Sequence, residues 1–162
     1  MPCETIIDEP RWIALNLEAL SDRAFEGVMA HLSLPTDVFE VTVLGCDDAR
    51  IASLNADFRG KPEPTNVLSW PSADRAPDGP GEKPAVPATD GDKELGDIAI
   101  AFQTCAREAC AQRKKARDHV THLLVHGMLH LLGYDHIRDE DAALMEKTET
   151  KILGKMGISN PY

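Results

Sequence analysis

The sequence contains no apolar stretch near the roughly 18 residues that a membrane-spanning helix needs. Its first residues also lack the basic start, apolar run and small-residue cleavage site of a secretory leader. We therefore expect a soluble, cytoplasmic protein without a membrane partner. The chain has 162 residues, 43% of them hydrophobic, which is enough for one ordinary core, so we expect a single domain over residues 1–162.

Paired cysteines are also missing. Cys3, Cys46, Cys105 and Cys110 form no CxxC pair and no spacing typical of a secreted disulfide framework. We expect reduced thiols that pack in the interior. Cys105 and Cys110 are poor candidates for a metal site, because residues five apart on one helix point in divergent directions.

Basic residues are scarce relative to acidic ones, 17 against 27, and the net charge is −10. This balance argues against a general nucleic-acid coat, since phosphate contacts supply most non-specific affinity, but it allows a local basic cleft. Basic residues gather at Arg59 with Lys61 and at 113–117. The simpler interpretation of the 113–117 run is a solvated helix end rather than a binding patch.

Hydrophobic periodicity divides the chain into predicted helices and strands. Strands are predicted over 39–43, 66–70 and 95–102, and helices over 10–32, 47–60, 104–116, 118–132 and 139–153. Gly96 inside the last strand indicates a bulge or a close approach of another backbone. Asp47 can cap the second helix and Gly60 can end it. The apolar face of that helix includes Ile51 and Phe58.

Residues 71–93 differ from the rest in composition. They hold five prolines and almost no large apolar side chain, so they cannot offset the entropy cost of becoming ordered. Such a long loop in a compact domain is either mobile or functional. We predict a flexible insertion between two strands.

The helix predicted over 118–132 is apolar around nearly its whole circumference, which is typical of a helix at the centre of a molecule. The exception is one polar stripe. At about 100° per residue, His119, His122, His126 and His130 fall within an arc of about 80°. Buried imidazoles need polar partners, so they are either hydrogen-bonded core histidines or metal ligands.

The segment HGMLHLLGYDH, residues 126–136, favours the metal. A separation of four residues places His126 beside His130, and Gly133 can end the helix so that the chain returns His136 to the same point. Three imidazoles with an open position are typical of a catalytic zinc site. Imidazoles alone do not select zinc over nickel, iron or cobalt.

Other ligand assignments use His119 or His122. Neither makes use of the glycine turn, so we expect both behind the ligands or along the wall of the cleft. Asp135 could orient a ligand imidazole or cap a turn. Tyr134 is expected to pack beneath the site.

The spacing matches that of the metzincin zinc proteases, H-E-x-x-H-x-x-G-x-x-H, in which the glutamate is the general base. Gly127 stands at that position here. It has no side chain to accept a proton, so peptide hydrolysis lacks its usual base. The absence of a side chain also leaves room at this position. A metal would still help phosphodiester cleavage, which needs an activated nucleophile and an offset for developing negative charge.

HGMLHLLGYDH and the HLLVHG before it resemble the signature of the bacterial YbeY family, endoribonucleases and rRNA maturation factors of the small ribosomal subunit. The segments LNADFRGKPEPTNVLSWP and ELGDIAI are similar to two further family motifs in the same order, so the resemblance covers about 38–153. Asn66 stands where the family usually has Asp, and the 71–93 insertion is long.

The resemblance implies an α+β fold in which a small mixed sheet packs against about five helices, one of them a zincin-like metal-binding helix. It implies one zinc ion per chain on His126, His130 and His136. The activity it implies is cleavage of single-stranded RNA in rRNA maturation, at the 3′ end of the small-subunit RNA, and in ribosome quality control. RNA and ribosomal or small-subunit components would be the partners.

The family's functional arginine corresponds to Arg59. Arg59 lies next to Gly60 at a predicted helix end, where its planar donor fork suits a phosphate. Two other functions stay open. One is a metallopeptidase whose base comes from Glu108 or Asp97, and the other is a non-catalytic ribosome-assembly factor whose metal only holds the C-terminal helices together.

Overall fold

The computed structural model describes residues 3–162, which form one four-stranded sheet and six helices. The strands are β1 (Cys3–Ile7), β2 (Glu40–Cys46), β3 (Val67–Pro71) and β4 (Glu94–Ala101). The helices are α1 (Arg11–Ala14), α2 (Leu17–His31), α3 (Asp48–Arg59), α4 (Phe102–Ala111), α5 (Ala116–Leu131) and α6 (Asp139–Lys155). Within the described residues, no helix is both long and apolar enough to cross a membrane.

The sheet is mixed, with strand order β1-β2-β4-β3. Strands β1, β2 and β4 run parallel, and β3 is an antiparallel edge strand beside β4. The predicted α+β fold, a small mixed sheet packed against helices, is therefore confirmed. Strand β1 was not predicted, because CETII lacks a clear alternation and its Ile6 and Ile7 are both exposed.

Helix α5 lies at the centre of the molecule, as its all-round apolar surface predicted. It packs against α2, α4 and α6 and against β3 and β4 of the sheet. Leu124, Val125 and Leu129 are all 0% exposed. The position of every histidine on α5 is thus fixed by a fully packed helix.

The helix predicted over 10–32 is two helices. Asn16 adopts a left-handed backbone conformation with φ 56°, which ends α1 and starts α2. Asparagine tolerates this conformation better than most residues do. Leu17, directly after the break, is only 1% exposed, so the chain turns there while keeping its apolar face in the core.

Helix α3 begins and ends where the sequence predicted. The Asp47 side chain accepts a hydrogen bond from the Arg50 backbone N–H at 2.8 Å, and Gly60 ends the helix with φ 68°. Ile51 is buried, but Phe58 was wrongly assigned to the apolar face, since it is 63% exposed. Its ring lies edge-on against Trp70, with centroids 5.3 Å apart.

Gly96 forms the predicted irregularity in β4. The register between β2 and β4 shifts at this point, and Gly96 has φ 142°. A Cβ atom here would collide with the backbone carbonyl of Trp70 and would lie 2.9 Å from the Leu131 side chain. The glycine therefore allows β3, β4 and the end of α5 to approach closely.

The connection between β3 and β4 comprises residues 72–93, since β3 includes Pro71 and β4 begins at Glu94. Its first half contacts the helices. The Arg75 guanidinium donates to the carbonyls of Leu131, at 2.8 Å, and Leu95, at 3.2 Å. The Gly81 backbone N–H donates to Asp141 on α6 at 2.9 Å. Pro84 also lies against Gly133, and the Lys93 carbonyl accepts from the Glu40 backbone N–H at 2.9 Å. Flexibility of the segment stays a prediction, and these contacts concentrate it in residues 85–92.

The cysteines are unpaired, as expected. Cys3, Cys46 and Cys105 are buried, but Cys110 is exposed, so the expectation of a packing thiol is wrong for that residue. Burial, reinforced by nearby carboxylates, raises the pKa of the Cys3 and Cys46 thiols to about 12. These two thiols therefore stay protonated and unreactive at neutral pH.

Candidate metal centre

The end of α5 brings His136 back towards the helix. Gly133 has φ 102°, its N–H donates to the His130 carbonyl at 3.1 Å, and the Tyr134 N–H donates to the Leu129 carbonyl at 3.0 Å. This pair of bonds is the Schellman arrangement that commonly ends a helix at glycine. The glycine turn predicted from the sequence is therefore present.

His126, His130 and His136 converge at this turn. One nitrogen atom from each side chain lies within 4.8 Å of the other two. The Nε2 atoms of His126 and His130 are 3.0 Å apart. Nitrogen ligands at about 2.05 Å from a tetrahedral zinc ion are separated by about 3.3 Å, so small side-chain rotations would complete such a site.

Hydrogen bonds on the far side of two rings determine which nitrogen atoms are free. His126 Nδ1 bonds to the Glu149 carboxylate, and His130 Nδ1 bonds to the Tyr134 carbonyl at 2.9 Å. A carbonyl and an ionised carboxylate can only accept, so both Nδ1 atoms carry the hydrogen. In the neutral rings both Nε2 lone pairs then point at each other, which is unfavourable unless a cation lies between them. The donor set therefore fits a metal ion.

The protonation of this cluster also suits a metal. Burial lowers the pKa of His130 to about 4, with help from the nearby His126 and His136. Burial opposes ionisation of Glu149, but hydrogen bonds from His122 and His126 outweigh it and hold the Glu149 pKa at about 2. At neutral pH, His130 thus presents a free lone pair and Glu149 is a carboxylate.

The three imidazoles line a cavity of about 520 Å³. Arg59 and residues 65–69 also line it, so the structure brings the predicted arginine to the same cavity as the histidines. Arg59 is exposed, and among residues 3–162 its guanidinium forms no ion pair. Its donors are therefore available to an anion in the cavity.

Gly127 also lines this cavity, but the expectation that its missing bulk leaves room is wrong. A Cβ atom at this position would lie 3.1 Å from the Ile98 side chain. The glycine instead allows α5 to pack tightly on β4.

The family model described as "Endoribonuclease YbeY" matches residues 7–157. The chain belongs to the YbeY family. A Ruegeria pomeroyi protein named "Endoribonuclease YbeY" is 57% identical, over 100% of this chain and 98% of its own length. A protein of the same name from Paramagnetospirillum magneticum is 44% identical, over 94% of this chain and 90% of its own.

This YbeY-family chain also resembles the solution structure of a Thermotoga maritima protein. The TM-score is 0.56 and the identity 22%, over 96% of this chain and 91% of the other. At this low identity the likeness concerns the fold alone.

Asn66, the departure from the usual YbeY pattern, has a defined role in this structure. Its side-chain N–H donates to Glu108 Oε1 at 3.0 Å, and its side-chain oxygen accepts from the Val67 backbone N–H at 2.7 Å. An ionised aspartate could not donate to Glu108. His119 Nε2 contacts the same carboxylate oxygen at 2.9 Å. The amide thus suits a site beside a carboxylate.

The two acids considered as a peptidase base do not line the cavity. Glu108 is held by Asn66 and His119, and Asp97 is an exposed residue of β4. The carboxylate that does line it is Asp135, whose Oδ1 accepts from the His136 backbone N–H at 2.7 Å. This bond to the backbone of the turn is consistent with capping, one of the two roles predicted for Asp135.

Of the remaining histidines of the stripe, His122 lies next to His126, and His119 lies further along α5, next to Glu108. His122 lines the cavity, while His119 is 4% exposed. Tyr134 is 7% exposed and lies beneath the site, where its carbonyl holds His130. The positions of His122 and Tyr134 agree with the expected arrangement, whereas His119 bonds to Glu108 and does not line this cavity.

The contribution of Glu149 and Tyr162 to this site was not predicted from the sequence. Glu149 is 0% exposed and accepts hydrogen bonds from His126, His122 and the Tyr162 hydroxyl. A signal for it existed, since Glu149 lies on the apolar face of α6, four residues after the buried Met145. A carboxylate on such a face needs buried partners. Nothing in the sequence indicated Tyr162.

Proposed function

We propose that this chain is a zinc-dependent endoribonuclease that cleaves single-stranded RNA. It would bind one zinc ion through His126, His130 and His136, with Arg59 as the catalytic residue outside the metal ligands. The observation that carries the proposal is the convergence of three imidazoles on a cavity that an arginine without an ion-pair partner among residues 3–162 also lines. Membership of a family described as endoribonuclease supports RNA as the substrate.

When bound, zinc supplies Lewis-acid chemistry, which favours deprotonation of an attacking hydroxyl and offsets negative charge. Glu149 and the Tyr134 carbonyl fix the orientation of two ligand rings through their Nδ1 atoms. Arg59 can donate two parallel hydrogen bonds to the phosphate oxygens, which gain charge during attack. The attacking group is either water or the 2′-hydroxyl of the RNA.

RNA is a better substrate for this cavity than a peptide. A zincin-type peptidase needs a carboxylate beside the metal to accept a proton, and Gly127 stands at that position. Neither Glu108 nor Asp97 lines the cavity to replace it, and the Asp135 carboxylate, which does line it, already accepts a hydrogen bond from the His136 backbone N–H. A phosphodiester instead requires donors for its charged oxygens, which Arg59 provides.

The biological role that we propose is maturation of rRNA at the 3′ end of the small-subunit RNA, together with ribosome quality control. The substrate would then be a single-stranded region of rRNA, and ribosomal or small-subunit components would be partners in the cytoplasm. The resemblance of the three sequence motifs to those of the family supports this role.

The test is metal analysis of the purified protein, followed by incubation with matched single-stranded and duplex rRNA fragments. We expect about one zinc ion per chain and cleavage of the single strand. His130→Ala should remove most of the metal and the cleavage with it, because only two imidazoles remain. Full metal retention in that variant, or cleavage that survives chelation, would contradict the proposal. A purely structural metal would give loss of fold on chelation and no cleavage at any stage.

A further inference from the structure

The turn between α4 and α5 carries three consecutive basic residues, Arg113, Lys114 and Lys115, here called the basic turn. Its backbone is well defined. Arg113 has φ 56°, which is uncommon for a residue other than glycine, and the Lys114 N–H donates to the Ala109 carbonyl at 2.9 Å. The basic turn is thus a fixed feature of the surface rather than a frayed helix end.

The basic turn lines a second cavity, of about 200 Å³. His122 lines both this cavity and the metal cavity, so the two are neighbours along the histidine stripe of α5. Lys115 precedes His126 by eleven positions, which at 1.5 Å per residue is about 17 Å. A single strand with bases stacked at about 3.4 Å would span this distance with about five nucleotides.

The charges of the basic turn are not neutralised by the protein. Among residues 3–162, none of its three side chains forms an ion pair, whereas Arg107 and Arg138 pair with carboxylates. Lys114 Nζ instead donates to the Pro161 carbonyl at 3.3 Å, which leaves its charge in place. Asp118 also lines the cavity, so three positive charges face one negative charge there.

The surroundings make this cluster distinctive. The chain carries a net charge of −10, so a patch with a positive balance attracts anions that most of its surface repels. The basic turn also adjoins the N-terminus of α5, which no side chain caps and which carries the positive end of the helix dipole. Both effects add to the attraction for a phosphate beside the three side chains.

We propose that the basic turn is a second binding subsite, which holds the phosphates of a single-stranded RNA whose scissile bond lies at the candidate metal centre. This inference rests on the proposed function, because it takes RNA as the substrate. It identifies the path of the strand, along the histidine stripe from the metal cavity to the start of α5. The 113–117 run, for which a solvated helix end was the simpler interpretation, thus becomes part of the substrate site.

The test is the salt dependence of RNA binding by the zinc-loaded protein. The basic-turn variant is Arg113→Gln/Lys115→Gln, which leaves the hydrogen bond from Lys114 to the Pro161 carbonyl intact. The matched control, Lys147→Gln/Lys151→Gln, removes the same charge from exposed positions of α6. The probe is a fluorescent 2′-O-methyl copy of a single-stranded rRNA fragment, checked for integrity after each anisotropy titration.

The slope of log K against log salt is negative, and each lost phosphate contact reduces its magnitude by about 0.7. The magnitude of the slope for the basic-turn variant should therefore be about 1.4 smaller than for the parent. Between 50 and 200 mM salt, the loss of affinity of the basic-turn variant should therefore be about 7-fold smaller than that of the parent. The control should keep the parental slope. An unchanged slope in the basic-turn variant, or an equal change in the control, would overturn the subsite.

A length series separates this inference from the proposed function. The kcat/KM of the parent should rise as the unmodified RNA becomes long enough to reach the basic turn, and that of the basic-turn variant should not. If both proteins gain equally with length, the subsite is wrong while the endoribonuclease stands. If the parent cleaves no RNA but the salt dependence of the basic-turn variant is weaker as expected, the subsite holds RNA and the proposed catalysis is wrong.

Discussion

Replacing Glu149 by glutamine should weaken zinc binding without unfolding the protein. The side chain is 0% exposed and holds the Nδ1–H of His126, so it fixes the direction of the His126 lone pair towards the metal. Glutamine keeps the volume and one acceptor oxygen but removes the charge. A buried hydrogen bond to a charged group contributes about 1.5–3 kcal/mol, and carboxylates that orient metal-binding histidines typically change metal affinity by about 10–100-fold. These two ranges agree, because each factor of ten is about 1.4 kcal/mol.

The affinity is measured by competition with a chromophoric chelator, in the parent, in Glu149→Gln and in Glu146→Gln. Glu146 lies on the same helix but is exposed, so its variant should bind zinc as the parent does. Cobalt substitution adds a spectroscopic check, since a reoriented His126 should change the visible absorption of the bound ion. Parental zinc affinity together with a parental cobalt spectrum in Glu149→Gln would show that Glu149 does not orient His126 for the metal.

Three further predictions concern the cavity and its surroundings. Arg59→Ala should keep the metal and the fold, but its rate of single-turnover RNA cleavage should fall by a factor of about 10²–10³. Arg59→Lys should recover little of that rate, because a single ammonium group cannot replace the two parallel donors of the guanidinium. Parental rates in both variants would remove Arg59 from the mechanism. Gly127→Glu should create no peptidase activity on a fluorogenic peptide panel, because a base also needs an aligned substrate. The same variant should lower the free energy of unfolding, measured with denaturant, by about 1–3 kcal/mol, since the added Cβ crowds Ile98. Measurable peptide turnover would show a protease-like cleft. Shortening 85–92 should barely change the melting temperature, while Arg75→Ala should lower it by several degrees, because Arg75 is hydrogen-bonded to the Leu131 and Leu95 carbonyls. The reverse order would show that residues 85–92 pack against the rest of the protein.

The features that the sequence predicted are those that depend on local spacing. His126 and His130 are four residues apart on a helix, and Gly133 provides the turn, so short-range geometry alone brings the candidate ligands together. The caps of α3 and the irregularity at Gly96 were predictable for the same reason. Each is encoded within a few residues.

The features that were missed depend on distant parts of the chain. Glu149 meets His126 across 23 residues, and only the packing of α6 on α5 decides which buried groups face each other. The exposure of Phe58 and the break at Asn16 were missed for a related reason, because periodicity describes an apolar face without showing whether another element covers it. The contacts of Arg75 could not be read from composition, which describes a segment only on average.

The candidate ligands lie within eleven consecutive residues, 126–136, whereas Arg59 comes from a helix that ends 67 residues before His126. Closing so short a loop costs little entropy, and it requires only the last turns of α5. The rest of the cavity lining depends on the position of α3 and on the pairing of β3 with β4, which are contacts between more distant segments and form more slowly. We therefore expect metal capture to be a rapid, local event and the assembly of the cleavage-competent cavity to be a separate, slower one.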